Sequence, residues 1–263
     1  MFGQKIIDMR FDVVTLFPDL IKDALDHGIT GRAMKENQLT LKTWNPRDFT
    51  NNKTGRVDDK PYGGGPGMVM ESEPLIKAIK KAKQSSNSSH VVYLSPQGQK
   101  FNQKRAEEFL QHRKIILLSG RYEGIDERVI ESEVDEICSV GDFVVSGGEI
   151  PALLVIDAVC RLEKGVLGDP DSASQDSFSD GLLEFPQYTR PDSNEFGEVP
   201  DVLLGGNHSE IAKWRLKESL RRTFKLRPDL LKKKVLTNQE KVLISEIKSE
   251  ENSLSDRMRT FIT

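Results

Sequence analysis

Cysteine is nearly absent: Cys138 and Cys160 are the only two in 263 residues, and they form no CxxC pair. That argues against a disulfide scaffold or a zinc site and points to a reducing cytoplasm. Histidine is scarce as well. His27, His90, His112 and His208 show no metal-ligand spacing and there is no HExxH, so each reads as a surface or core residue. No uncharged apolar run approaches the roughly 18 residues of a membrane span. The start, MFGQKIIDMRFD, lacks the basic, apolar, small-residue order of a signal peptide. Without a Gly-Lys dipeptide there is no Walker P-loop, and no GxGxxG follows a strand, which leaves a Rossmann loop unsupported.

What is present is ordinary globular composition, 37% apolar and 30% charged, in a chain long enough for one or two domains and a real core. The net charge of −3 is uninformative, but its distribution is not. Glu123 to Glu149 holds nine acids and one base, a net of −8. Ser209 to Lys234 holds ten bases and three acids, a net of +7. A basic stripe in a mildly acidic protein is the footprint of a phosphate-backbone contact; for a charge run alone, a solvated helix face is the rival reading.

Up to about residue 165 the pattern alternates strand and helix. Phe11–Phe17 reads as a strand with a helix start at Pro18, and Glu73-Pro74 opens a second helix that runs into the polar loop KQSSNSSH. Short apolar runs follow at Val91–Ser95, Ile115–Ser119 and Ile137–Val140, and Pro151–Leu162 reads as an apolar helix with proline at its first position. Buried strands separated by helices imply a parallel α/β sheet. Asp169–Gly181 (DPDSASQDSFSDG) reads as a polar linker or mobile loop. Beyond it, Leu216, Leu220 and Phe224 recur every four residues in an amphipathic helix whose other face is basic. The rest is helical and polar, with no internal repeat.

Three strand-end loops carry glycine: Leu94–Gly98 (LSPQG), Ser119–Gly124 (SGRYEG) and Ser139–Glu149 (SVGDFVVSGGE). Ligands bind beyond the carboxyl ends of strands in open α/β sheets, and three such loops in succession suit a flat ligand held by backbone groups. Each alone is simple turn chemistry. A fourth loop, Tyr62–Met68 (YGGGPGM), is either a hinge or a close-approach surface for a nucleotide.

These loops sit in longer motifs: GRVDDKPYGGGPGM (Gly55–Met68), YLSPQG (Tyr93–Gly98), SGRYEGIDERV (Ser119–Val129), VGDFVVSGGEIP (Val140–Pro151), GVLGD and QDSF (within Gly165–Phe178), YTRP (Tyr188–Pro191) and VLLGGNHSEIAKWR (Val202–Arg215). In this order, from about Met9 to Leu230, the chain resembles the bacterial tRNA (guanine-N1)-methyltransferases of the TrmD type. The resemblance implies a SPOUT fold, an α/β domain with a parallel sheet tied in a deep trefoil knot, plus a small helical C-terminal domain. The expected division is 9–168 for the knotted domain, 169–181 for a flexible linker and 182–263 for a helical tRNA-binding domain. The family begins near Met9, so residues 1–8 read as an alternative start or a cloning remnant.

By the same resemblance, S-adenosylmethionine is the methyl donor. It is held by Gly120 and by Val140, Gly141, Asp142, Phe143, Val144 and Val145, with Ser95, Pro96, Gly147, Gly148 and Pro151 lining the pocket. Phe143 stands where the family often has tyrosine; a backbone contact survives that change and a hydroxyl contact does not. The implied substrate is guanosine 37 of tRNA, and the implied assembly is a cytoplasmic homodimer with its active site at the subunit interface and a dependence on magnesium. Asp176 matches the proposed general base, and Arg161 matches the residue that stabilises guanine O6 or orients the base. On residue type alone, Asp176 is one linker acid among several and Arg161 a helix-end cation. Glu123 is a candidate magnesium or orienting partner, with an ordinary surface acid as its rival. Lys213, Arg215, Arg221, Arg222 and Lys225 are the expected tRNA contacts. An RNA-binding module without catalysis accounts for the basic stripe and Trp214 but not for three Gly-rich loops. A different nucleotide-using transferase accounts for the loops but lacks P-loop and Rossmann signals.

Overall fold

The computed structural model describes residues 9–84, 88–169 and 172–260, with side chains to residue 253. Residues 1–8 lie outside this set, as do 85–87 of the polar loop and 170–171 of the stretch read as a linker. The chain separates into two units, Met1–Pro170 and Asp171–Thr263.

The first unit runs β1 (Met9–Val14), α1 (Pro18–Leu25), α2 (Gly28–Lys35), β2 (Leu39–Trp44), a 3-10 turn (Pro46–Phe49), β3 (Asp58–Asp59), β4 (Val69–Met70), α3 (Ser72–Lys83), β5 (His90–Lys100), α4 (Gln103–Leu110), β6 (Lys114–Ser119), α5 (Glu127–Glu133), β7 (Glu136–Ser139) and α6 (Glu149–Cys160). Five strands form one sheet in the order β2-β1-β6-β5-β7, and every pairing is parallel. β6 is central and buried throughout. Side chains alternate across a strand. Ile115 and Leu117 therefore enter a core with Phe11, Val13, Ile21, Val155 and Ile156, while Ile116 and Leu118 enter a second core with Val14, Leu75, Ile79, Val91 and Val129. Helices cover both faces of the sheet, as a wholly parallel sheet requires.

Three boundaries differ from the sequence reading, and two elements are additional. β1 stops at Val14 because the Thr15 hydroxyl accepts from Phe17 N at 2.9 Å, turning the chain ahead of Pro18. β5 extends to Lys100, with Ser95–Gly98 bulged out of the ladder: both Leu94 and Gln99 register with Cys138. The LSPQG segment is thus an interruption within a strand rather than its end. α6 begins at Glu149, which makes Pro151 its third residue; proline is tolerated there because a first-turn N–H has no intrahelical acceptor. β2 and α2 are additional elements.

The second unit runs α7 (Ser172–Gln175), β8 (Ser193–Asn194), β9 (Gly197–Glu198), α8 (Asp201–Leu204), α9 (His208–Leu226), α10 (Pro228–Lys233) and α11 (Asn238–Thr260). Asn207 caps α9 by accepting from Ser209 N and Glu210 N, which starts the helix before Ile211. Leu220 packs with Leu182, Leu243, Ile244 and Ile247, and Leu216 and Phe224 extend the same face. Residues 172–184, which take in all of the described part of the expected linker except Asp169, are tied by their own hydrogen bonds: Ser179 Oγ to Ala173 O (2.7 Å), Phe178 N to Leu182 O (2.7 Å) and Glu184 N to Ser177 Oγ (3.0 Å).

Candidate active site

β5, β6 and β7 are adjacent and parallel, so the bulge in β5 and the loops that follow β6 and β7 converge at one end of the sheet. They enclose a cavity of about 480 Å³. Eleven of the twelve residues expected to hold the methyl donor line it: Ser95, Pro96, Gly120, Val140, Gly141, Phe143, Val144, Val145, Gly147, Gly148 and Pro151. Asp142 does not. Its side chain turns out to pair with Lys100 Nζ instead. Glu123 also reaches the cavity.

The sequence reading missed several walls. Tyr93, Arg121, Tyr122, Gly124, Ile125, Glu127 and Ile130 also line it, as do Leu94, Gln97, Cys138, Ser139 and Ser146. Tyr93 sits in an apolar strand and reads as core, and burial does push its phenol above the usual range. Tyr122 adopts a left-handed backbone (φ 60°), a costly conformation for a bulky residue that marks a constrained turn. Glycine is required where the loops meet. A side chain at Gly148 would lie 2.6 Å from Ser119 Cα, and one at Gly98 would lie 2.3 Å from the Ile137 carbonyl carbon.

The Tyr62–Met68 loop joins β3 to β4 and leads to the cavity rim. Glu123 N donates to Met68 O at 3.0 Å, and a side chain at Gly67 would strike the Glu123 carboxylate. Gly63, Gly64 and Gly65 are in left-handed conformations with open space around them, and Tyr62 is fully exposed.

Arg161 caps the C-terminus of α6 in the first unit, its backbone N–H bonded to Asp157 O. Asp176 is half-buried in the second unit, directly after α7. The basic stripe on α9 divides. Lys217 bonds Glu246 and Glu250, Arg221 bonds Glu218 and Glu250, and Lys225 pairs with Glu251 at 2.7 Å, mostly across to α11. Arg215 instead stacks over the ring of Phe185 at 4.7 Å, and Arg222 reaches Phe185 O at 3.5 Å. At 100° per residue, 215 and 222 share one face while 217, 221 and 225 share another. Lys213 is exposed. Among the described residues no group of three His, Cys, Asp or Glu is placed to hold a metal ion.

Residues 9–233 match the family described as tRNA (Guanine-1)-methyltransferase TrmD. The chain belongs to this family. A protein named tRNA (guanine-N(1)-)-methyltransferase from Shewanella amazonensis is 54% identical over 246 residues, which cover 93% of this chain and 98% of that protein. Proteins of the same name from Pasteurella multocida and Methylococcus capsulatus are each 53% identical over 243 residues, covering 92% of this chain and 99% and 97% of theirs. No helix among the described residues is long and apolar enough to cross a membrane.

Proposed function

We propose that this chain transfers the methyl group of S-adenosylmethionine to N1 of guanosine 37 in tRNA, forming 1-methylguanosine beside the anticodon and so helping to maintain the reading frame. The observation that carries this reading is that glycine-bearing segments at β5, β6 and β7 line one and the same cavity in a chain of this family. The residues present suit the donor. Leu94, Pro96, Ile125, Ile130 and Val140 offer apolar surface to a flat base, while the glycines leave backbone groups free to hydrogen-bond its edge. Glu123 and Glu127 place negative charge at the cavity for a sulfonium. Glu123 and Glu127 are the acids that line the cavity and would be the carboxylates to hold a magnesium ion there; among the described residues no group of three His, Cys, Asp or Glu is placed to hold a metal.

Guanine N1 carries a proton, and it becomes a nucleophile only as that proton leaves. Asp176, as a carboxylate, takes it. Negative charge then grows on guanine O6, where the fixed cation of Arg161 lowers the barrier. S-adenosylmethionine supplies an activated methyl group, so the protein's remaining task is alignment. Arg215, Arg222 and Lys213 supply phosphate contacts. The wholly parallel sheet and membership of the family support a SPOUT domain, with the knot part of the same proposal. Exposed Ile150 and Leu154 on α6, and exposed Phe143 and Val144 in the loop that precedes it, support a homodimer whose interface completes the site. The cytoplasm, where tRNA is found, is the matching compartment.

Two measurements test this reading. Calorimetric titration should show binding of S-adenosylmethionine and none of ATP. A methylation assay should modify transcripts with G at position 37 and leave those with A unmodified; equal labelling of both would overturn the assignment.

A further inference from the structure

Glu149 is completely buried, yet it is the first residue of α6, where an acid would ordinarily face solvent. Both its oxygens are occupied. Thr15 Oγ1 donates to Oε1 at 2.7 Å, and Arg121 Nε donates to Oε2 at 2.8 Å. Arg121 then donates through Nη1 to Ser146 O at 3.1 Å and lies over the Phe17 ring at 4.4 Å. Thr15 is itself fixed, since its hydroxyl accepts from Phe17 N and its own N–H donates to Trp44 O. One carboxylate therefore joins the end of β1, the loop after β6 and the loop after β7. Arg121, Ser146, Gly147 and Gly148 line the cavity; Glu149 and Thr15 stand behind its wall.

We infer that Glu149 is a positioning residue for the methyl donor: through Arg121 and Thr15 it holds the Ser146–Gly148 wall in the shape that binds the donor. The inference rests on the reading of this cavity as the donor site. A buried charge left without its partners pulls the surrounding groups out of place, and a displacement of about 1 Å near reacting groups costs up to about a hundredfold. Arg121 is a poor probe because it touches the cavity itself. Glu149 and Thr15 do not, so their variants act only through the wall.

The experiment compares the wild-type protein with Glu149→Gln, Thr15→Val and Thr15→Ser. The amide of Glu149→Gln still accepts from Thr15 but turns a donor toward Arg121. Calorimetry with S-adenosylmethionine, KM for donor and tRNA measured separately, and thermal melting are the readouts. The expected result is a donor affinity about ten- to a hundredfold weaker in Glu149→Gln, the scale set by leaving a buried polar group without its partner, a smaller loss in Thr15→Val, recovery in Thr15→Ser, and an unchanged KM for tRNA. Lowered melting temperatures with wild-type donor affinity in both Glu149→Gln and Thr15→Val would overturn the inference and leave the network merely structural. Should Glu149→Gln not fold, the comparison of Thr15→Val with Thr15→Ser decides alone. Absence of donor binding in the wild-type protein would instead overturn the reading of the cavity.

Discussion

Arg221 donates through Nη2 to Glu250 Oε2 at 2.8 Å, so a cation that the sequence offers to RNA is already engaged within the protein. Lys217 and Lys225 are engaged in the same way. Freeing any of them for a phosphate means first breaking an internal pair. Arg215 and Arg222, organised by Phe185, carry no such commitment to an acid among the described contacts.

Neutralising Arg215 and Arg222 together should therefore weaken tRNA binding and flatten its salt dependence by roughly one unit of slope per lost contact. Neutralising Arg221 and Lys225 should mainly lower the stability of the second unit and leave the slope close to wild type. Measuring tRNA affinity against salt for both double variants tests this; equal flattening would show that the whole stripe grips RNA.

Asp176→Asn keeps the shape of the side chain but cannot accept a proton near neutral pH. Single-turnover methylation should fall by about 10²–10⁴ with donor affinity retained. Arg161→Ala should likewise lose rate rather than donor binding. A near-normal single-turnover rate in Asp176→Asn would remove it from the base role.

How much of this was legible in the sequence depends on the range of the interaction. The loops after β6 and β7 could be read because an apolar run ending in glycine is a local signal. Tyr93 was missed as a wall because a tyrosine in an apolar strand looks like core. Glu149 was one acid among nine in its stretch, and its partner Thr15 lies 134 residues away. The commitment of Arg221 was hidden for the same reason, since Glu250 is 29 residues further on. β3, β4, β8 and β9 are two residues each, too short to show a period.

Glycine substitutions separate two kinds of crowding. At Gly148 the obstacle is the Ser119 backbone, which cannot swing aside, whereas at Gly147 it is the Arg121 side chain. At Gly141 (φ 156°) a side chain meets the Phe143 ring in a conformation that disfavours any Cβ. Gly148→Ala and Gly141→Ala should both lose donor binding in calorimetry. Adding Phe143→Ala to Gly141→Ala removes the ring but not the backbone strain, so recovery should be partial at most; full recovery would assign the effect to the ring alone.

His112 stacks face to face with His90 at 4.1 Å. His112 is largely exposed, but its packing on His90 desolvates it in part; this, then the charge of His90, holds its imidazole below the ordinary 6.5. The unfolded chain thus takes up a proton at His112 before the folded one does. The contribution to stability is complete above pH 6.5 and declines as pH falls through the folded value. NMR titration should place the His112 midpoint below 6.5, and His112→Gln should flatten the melting temperature across that window. A midpoint at or above 6.5 would refute the placement.

α6 is apolar around most of its circumference. Val155, Ile156 and Val159 enter the core, while Ile150 and Leu154, one turn apart, remain exposed in the single chain. Apolar side chains at this spacing form a face that water covers at a cost of about 25 cal/mol per Å², and the loop leading into α6 exposes Phe143 and Val144 as well. A second copy covering that face would bring chain to the edge of the cavity, because Phe143 and Val144 line it. Leu154→Arg sets two like charges in any symmetric interface at this helix and should shift the protein to monomer in sedimentation. Leu154 does not line the cavity, so a folded monomer that keeps donor affinity and turnover would show that one chain holds a complete site. A monomer that melts normally yet loses turnover would show that the second subunit completes it. A dimer that persists in Leu154→Arg would move the interface off this face.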